Sequence, residues 1–269
     1  MHFVEVGTGI PVLAIHGWTP DHRLMLGCLE PVFAARPGYR RLYPDLPGMG
    51  RSPAGDVASA DDLLAALEQF VDAQIGSEPF LVVGQSYGGY LARALAHRRP
   101  GQVSGLALSC PVGKFLRRSE STVPELEVRW PDAGVEELDP VLVEEFVPMA
   151  VVQTPEVARR FADEVLVGLQ VADLAAMERV QRRWDLSEGP ELGVFERPAL
   201  FLTGRQDNIT GYADVYALLP HYPHASFAVL DCAGHNLQIE QPVLFGALVG
   251  EWLDRVEREG RNGRTEREG

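Results

Sequence analysis

The sequence predicts an α/β protein: a mostly parallel central sheet flanked by helices and interrupted by an all-helical block. Three observations predict it. Short runs rich in Val, Ile, Leu and Phe alternate with amphipathic stretches, the rhythm of strand–helix–strand units. Three of those runs, at 80–83, 105–108 and 199–202, are apolar without alternation, as strands covered on both faces must be. From Val112 to Phe195 the strand signals stop and helical patterns follow one another.

Taken in chain order, strands are expected over 3–6, 12–15, 40–43, 80–83, 103–108, 199–203 and 226–230. Helices are expected over 61–75, 87–97 and 242–257; in the first, Leu63, Leu64, Leu67, Phe70 and Val71 make an apolar stripe at helical spacing. The intervening block carries helical patterns at 141–152, 155–169 and 171–184, with Pro140 and Pro155 just inside two of the starts. Inserted between sheet strands, such a block would lie over the strand C-terminal ends, where open α/β sheets bind ligands. The expected organisation is a discontinuous core of residues 1–111 and 196–256, a helical cap of residues 112–195, and a tail of residues 257–269. That tail is charged, without apolar residues, and expected to be disordered.

The chain has 269 residues, 46% of them apolar, enough for one α/β domain with an insertion. Its formal charge of −14 argues against nucleic acid or an anionic membrane surface as partner. A small-molecule substrate is the expected partner. Cys28, Cys110 and Cys232 are too widely spaced for a zinc or redox motif and are read as free thiols. No signal-peptide pattern opens the chain, and its longest apolar stretch, 11–15, is far too short to span a bilayer. A cytoplasmic protein is expected.

The strongest local signal is Gly84-Gln85-Ser86-Tyr87-Gly88, directly after an apolar strand and directly before a helix. In that context Gly-x-Ser-x-Gly reads as a nucleophile elbow, a turn so sharp that it lifts the Ser86 hydroxyl above the sheet. The same turn leaves the Tyr87 amide at a helix N-terminus, facing a developing oxyanion. A serine hydroxyl needs a base. Among seven histidines, His235 lies in the loop after the last strand, on the sheet edge that carries Ser86. The acid orienting it is expected at another strand end, and Asp207 follows the run 199–202 after a glycine turn. Asp231 and Asp214 are rivals, and capping of the helix near Gly211 is an alternative use for Asp207. The loop His16-Gly17-Trp18 is expected to supply the second oxyanion donor through the Trp18 N–H, with its indole lining the pocket. His16 either braces that loop or borders the substrate. Phe146, Met149 and Trp184 are the block residues expected at the substrate wall, some of which would be core between its helices. No ligand spacing for a metal and no cofactor motif is found.

His16-Gly17-Trp18, Asp45-Leu46-Pro47-Gly48-Met49-Gly50-Arg51-Ser52, the Ser86 elbow, Gly204-Arg205-Gln206-Asp207 and Gly234-His235 together resemble, in order and spacing, the capped α/β-hydrolase superfamily. The resemblance spans nearly the whole chain apart from the block and the tail. It implies the order Ser86, Asp207, His235, a cap inserted after the sixth strand, and no cofactor. Because position 86 is serine, the chain departs from the epoxide-hydrolase and haloalkane-dehalogenase branches and looks like the esterase, lactonase, C–C hydrolase and aminopeptidase side. The expected reaction is cleavage of an ester, thioester or lactone, or of an amide or C–C bond, in a small apolar substrate through an acyl-enzyme. His16-Gly17-Trp18 followed by Asp21-His22-Arg23 is also similar to cofactor-independent quinolone dioxygenases. A cofactor-free oxygenase or lyase on the same residues, and a non-enzymatic ligand-binding protein of this fold, are therefore the alternatives.

Overall fold

A computed structural model describes residues 1–114 and 120–265. Its sheet has seven strands: β1 (Phe3–Gly7), β2 (Ile10–Ile15), β3 (Tyr39–Pro44), β4 (Phe80–Gln85), β5 (Val103–Ser109), β6 (Ala199–Gly204) and β7 (Ala225–Leu230). They lie in the order β1-β3-β2-β4-β5-β6-β7. Every pairing in this sheet is parallel except β1 with β3, the pair at one sheet edge.

The continuous apolar runs are the buried strands. β4 and β6 are buried at every position, whereas edge strands β1 and β7 alternate or stay half exposed. Pleating sends successive side chains to opposite faces. Leu13, Ile15, Phe80, Val82, Leu106 and Phe201 enter one core, and Val12, Ala14, Leu81, Val83, Ala107 and Leu200 the other. Two helix layers close these cores. On the first side lie α2 (Ala60–Gln74), with Ser59 capping the Asp62 N–H, and α3 (Ser86–Arg98). On the second lies α1 (His22–Phe33), capped by Asp21.

In the block between β5 and β6 the longest elements are helices, but they are shorter and more broken than its periodicity suggests. It contains α4 (Pro140–Phe146), then α5 (Pro155–Phe161), continuing through a π turn (Ala162–Leu166) into α6 (Val167–Leu169), and then α7 (Leu174–Gln181). The helix expected to reach 152 stops at Phe146, because Pro148 lacks the N–H that another turn would require. The chain beyond it forms a two-residue parallel pairing, Trp130–Pro131 with Val152–Gln153, in a region where no strand is expected. The last helix starts later than expected, where the Asp173 carboxylate caps the Ala176 N–H. The block leaves the sheet after the fifth strand of this chain, not the sixth: only five sheet strands precede Val112.

After β6 come two short helices, α8 (Ala213–Tyr216) and α9 (Leu237–Glu240), and the long α10 (Pro242–Thr265). Disorder expected from residue 257 is corrected here, since the helix runs on to Thr265 and residues 266–269 lie outside the described residues. Arg and Glu are good helix formers, and the i,i+4 pair Arg261–Glu257 supports the helix beyond its last core residue, Val256. Among the described residues, no helix is long and apolar enough to cross a membrane.

Candidate active site

Ser86 is the first residue of α3 and has φ +53°, in the left-handed region that costs a side-chain-bearing residue energy. The turn that holds it there is possible because the residues two positions to either side, Gly84 and Gly88, lack side chains. A Cβ at Gly88 would lie 2.2 Å from the His16 carbonyl oxygen and 2.5 Å from that of Ile15, both of them backbone atoms. Gly88→Ala is therefore expected to push α3 off the end of β2, destabilising the fold by about 1–3 kcal/mol. The melting temperature and the Ser86-dependent activity should fall together; an unchanged melting temperature would show that the packing is slack. Gly17 serves a second close approach, since a Cβ there would meet Gln85 Oε1 at 2.2 Å and Ser86 Cβ at 3.1 Å. This brings the 16–18 loop against the serine.

Three strand-end loops converge at this point. The Ser86 hydroxyl lies 2.9 Å from His235 Nε2, and His235 Nδ1 lies 3.1 Å from Asp207 Oδ2. All three residues are buried, Asp207 completely. The carboxylate can only accept, so Nδ1 carries the proton and Nε2 accepts from the serine O–H. Asp207 Oδ1 accepts the Ile209 and Thr210 N–H groups at 2.9 and 3.0 Å, and Oδ2 accepts the Thr210 hydroxyl at 2.7 Å. Burial works to raise this carboxyl. The His235 charge and the hydrogen bonds from His235 and Thr210 outweigh it and hold Asp207 below the usual carboxylate range. Capping of the following turn is thus also real, but it uses one oxygen and leaves the other for the imidazole. The rival acids are engaged elsewhere: Asp231 Oδ1 accepts from Gln206 at 2.6 Å, and Asp214 Oδ2 accepts the Thr122 N–H at 2.7 Å.

The cavity over Ser86 has a volume of about 90 Å³. Trp18, Pro20, Leu24, Met149, Val165 and Leu169 form its apolar wall, and Gln85, Ser86, His235, Asn236, Thr19 and Glu145 its polar one. Of the expected wall residues, Trp18 and Met149 are placed there; His16, Phe146 and Trp184 are not. His16 is fully buried, its Nδ1–H donating to the Gly17 carbonyl and its Nε2 accepting the Leu46 N–H at 2.9 Å. It braces the loop, and burial lowers its pKa. Phe146 packs on Phe161 inside the block, because the α4 face bearing Leu142 and Phe146 is the one that meets its neighbours. Trp184 stacks on Tyr87 at 4.2 Å and edge-on to Trp18 at 4.3 Å, pinning the end of the block to the loop beside Ser86. A larger depression, about 610 Å³, lies between α1 and α10 and contains none of the three relay residues.

Four contributors escaped sequence reasoning: Gln85, Thr210, Glu145 and Glu240. Gln85 donates to the His235 carbonyl oxygen at 3.3 Å. Thr210, three residues past Asp207, had a legible signal as a turn hydroxyl. Glu240 had only its odd position as an acid in an apolar stretch. Its carboxylate is buried, with Oε2 accepting the Gly234 N–H at 2.6 Å and Oε1 accepting the Val151 and Val152 N–H groups at 2.6 and 3.1 Å. Burial raises its pKa against those three bonds, and the Asp207 charge adds to the rise. Glu240 thereby ties the histidine loop to the block. A glutamine there must turn its NH₂ toward one of these N–H donors, leaving a buried group unpaired at about 1–3 kcal/mol. Glu240→Gln is expected to lower the melting temperature and, by loosening Gly234-His235, to lower kcat roughly ten- to a hundredfold. Stability loss with unchanged kcat would reduce Glu240 to a purely structural clamp.

Two sets of donors could geometrically hold a cation among the described residues: His2, His22 and Asp45, and Cys110, Asp207 and His235. In the first, Asp45 accepts from both imidazoles at 2.7 and 2.8 Å and from the His22 and Arg51 amides, joining β1, α1 and the loop after β3. The second is the relay with Cys110 beside it, a thiol that burial keeps protonated.

The family model for the alpha/beta hydrolase fold matches residues 10–242. A pimeloyl-[acyl-carrier protein] methyl ester esterase of Legionella pneumophila (strain Corby) is 24% identical over 256 residues, covering 94% of this chain and 99% of that protein. Among solved structures, an alpha/beta superfamily hydrolase from Oenococcus oeni PSU-1 superposes with a TM-score of 0.87 at 27% identity, covering 95% of this chain and 96% of that one. A thermophilic esterase from Thermogutta terrifontis superposes with a TM-score of 0.66 at 25% identity, covering 95% and 93%. The chain belongs to the α/β-hydrolase fold family and is a hydrolase of that family.

Proposed function

We propose that this chain is a serine esterase in which Ser86, His235 and Asp207 act as one unit. The observation that carries the reading is the unbroken line of hydrogen bonds from the Ser86 hydroxyl through both ring nitrogens of His235 to Asp207. His235 Nε2 takes the serine proton as Oγ bonds to the ester carbonyl carbon. The C=O electron pair moves onto oxygen, where the amides of Tyr87 and Trp18 receive it. Tyr87 lies in the first turn of α3, where amides have no intrahelical acceptor. The close approach of Gly17 to Ser86 supports the next residue, Trp18, as the other donor, each such donor typically contributing about 3 kcal/mol. The tetrahedral adduct then collapses, the C–O bond to the alcohol breaks, and the leaving oxygen takes the proton from His235. Water, deprotonated by the same nitrogen, hydrolyses the acyl-enzyme. Asp207 stays ionised throughout and keeps the Nδ1 proton in place.

The apolar wall and small volume support a short acyl group as the part bound beside Ser86. Sites for drug-sized ligands run to about 300–1,000 Å³. A longer substrate therefore requires residues 112–195, here read as a cap, to shift. Covalent labelling with a fluorophosphonate, comparing wild type with Ser86→Ala, tests the reading, together with p-nitrophenyl esters of graded chain length. Labelling confined to wild type and turnover falling with acyl length are expected; a folded wild-type sample that neither labels nor turns over would defeat it.

A further inference from the structure

Among the described residues, the cavity over Ser86 is lined by one ionisable side chain apart from His235, namely Glu145. Its helix, α4, is anchored by Leu142 and Phe146, which sets Glu145 at the exposed mouth of the cavity. Among the described residues, no hydrogen bond or ion pair engages its carboxylate, whereas Arg23 is paired with Asp21 and Arg160 with Glu164. Half of the described wall, namely Trp18, Pro20, Leu24, Met149, Val165 and Leu169, is apolar and offers an anion no hydrogen-bond donor from its side chains other than the Trp18 indole. The surrounding segment adds to its sign, since residues 112–195 hold seventeen acidic residues against nine basic ones.

We infer that Glu145 selects substrates by charge, so that the site takes a cationic ester in preference to a neutral one and rejects an anionic one. The inference rests on the esterase reading above and names the substrate class for it. An anionic ester would bring its charge against an unpaired carboxylate, with no arginine or lysine among the described wall residues to receive it. A cationic group would supply the partner that Glu145 lacks, over apolar surface that cannot solvate an anion.

Three thioesters with the same acetyl group and leaving arms of similar size provide the test: acetylthiocholine, its neutral 3,3-dimethylbutyl analogue, and S-acetyl-3-mercaptopropionate. In wild type, kcat/KM should fall in the order cation, neutral, anion, with a cation-to-anion ratio of about tenfold or more at low salt, shrinking as salt screens the mouth. Glu145→Gln should collapse that ratio toward one, and Glu145→Lys should invert it. Because the readout is a ratio within one protein, partial unfolding of a variant does not move it. Turnover of all three without the order, or an order that survives Glu145→Gln and Glu145→Lys, overturns the inference alone. Failure of all three together with every p-nitrophenyl ester, in a folded sample, defeats the esterase reading and this inference with it.

Discussion

Ser86→Ala is expected to lower kcat by about a millionfold, the cost of removing the nucleophile from a serine relay. KM for a short ester should change little, because the wall of Trp18, Pro20, Leu24, Met149, Val165 and Leu169 is untouched. Among the described residues, the Ser86 hydroxyl lies at 2.9 Å from His235 Nε2, and the other side chain within reach of that nitrogen, Gln85 Nε2, is a donor at 3.5 Å that cannot attack a carbonyl. A residual rate above that in water should survive, since the amides of Tyr87 and Trp18 and the imidazole remain to polarise the ester. The fold should not suffer. Alanine keeps the Cβ and removes only the oxygen, while the left-handed backbone at 86 is enforced by the glycine contacts around it. Stopped-flow and steady-state hydrolysis of p-nitrophenyl acetate, with circular dichroism as the folding control, check this. A loss of less than a hundredfold would mean that water activated directly by His235 does the chemistry, and that Ser86 is not the nucleophile.

Much of this site was legible because each relay residue sits in a strand-end loop whose flanking pattern is local. The runs 80–83 and 199–202 announce buried parallel strands, and the turns that follow them carry Ser86 and Asp207. What was not legible is what depends on the facing of a helix or on backbone partners far away in sequence. In α4 the periodicity marks Leu142 and Phe146 as apolar without saying whether that face meets a cavity or another helix. It meets Phe161, and the neighbouring Glu145 reaches the cavity instead. Trp184 looked like substrate wall by composition, yet its ring is engaged by Trp18 and Tyr87. Glu240 accepts from backbone amides 88 and 89 residues away, which no side-chain pattern encodes. The tail was misread for a related reason: a segment without apolar residues can stay helical when it continues a helix already anchored by Val249, Trp252, Leu253 and Val256.

Asp207→Asn should keep the fold and lower kcat by about ten-thousandfold, because it changes which nitrogen of His235 carries the proton. The asparagine oxygen would keep the position of Oδ1, held by the Ile209 and Thr210 amides, which leaves its NH₂ in the place of Oδ2 facing His235 Nδ1. Nδ1 must then accept, the ring proton moves to Nε2, and the nitrogen that should take the serine proton now points a hydrogen at Ser86. Thr210 can turn its hydroxyl wholly to the Cys110 carbonyl oxygen, so no buried group is stranded. The pH dependence of stability separates this from a packing defect. Asp207 is held below its unfolded value, so its contribution to stability is complete above the unfolded carboxylate pKa of about 3.9 and is lost as pH falls through the lower folded value. Wild type should therefore lose stability more steeply than Asp207→Asn once the pH drops below about 4. Urea midpoints measured as the pH is lowered, with kcat at pH 7, decide it. A variant within tenfold of wild-type kcat would remove Asp207 from the relay, and parallel acid-stability curves would show that its carboxylate is not held ionised by His235.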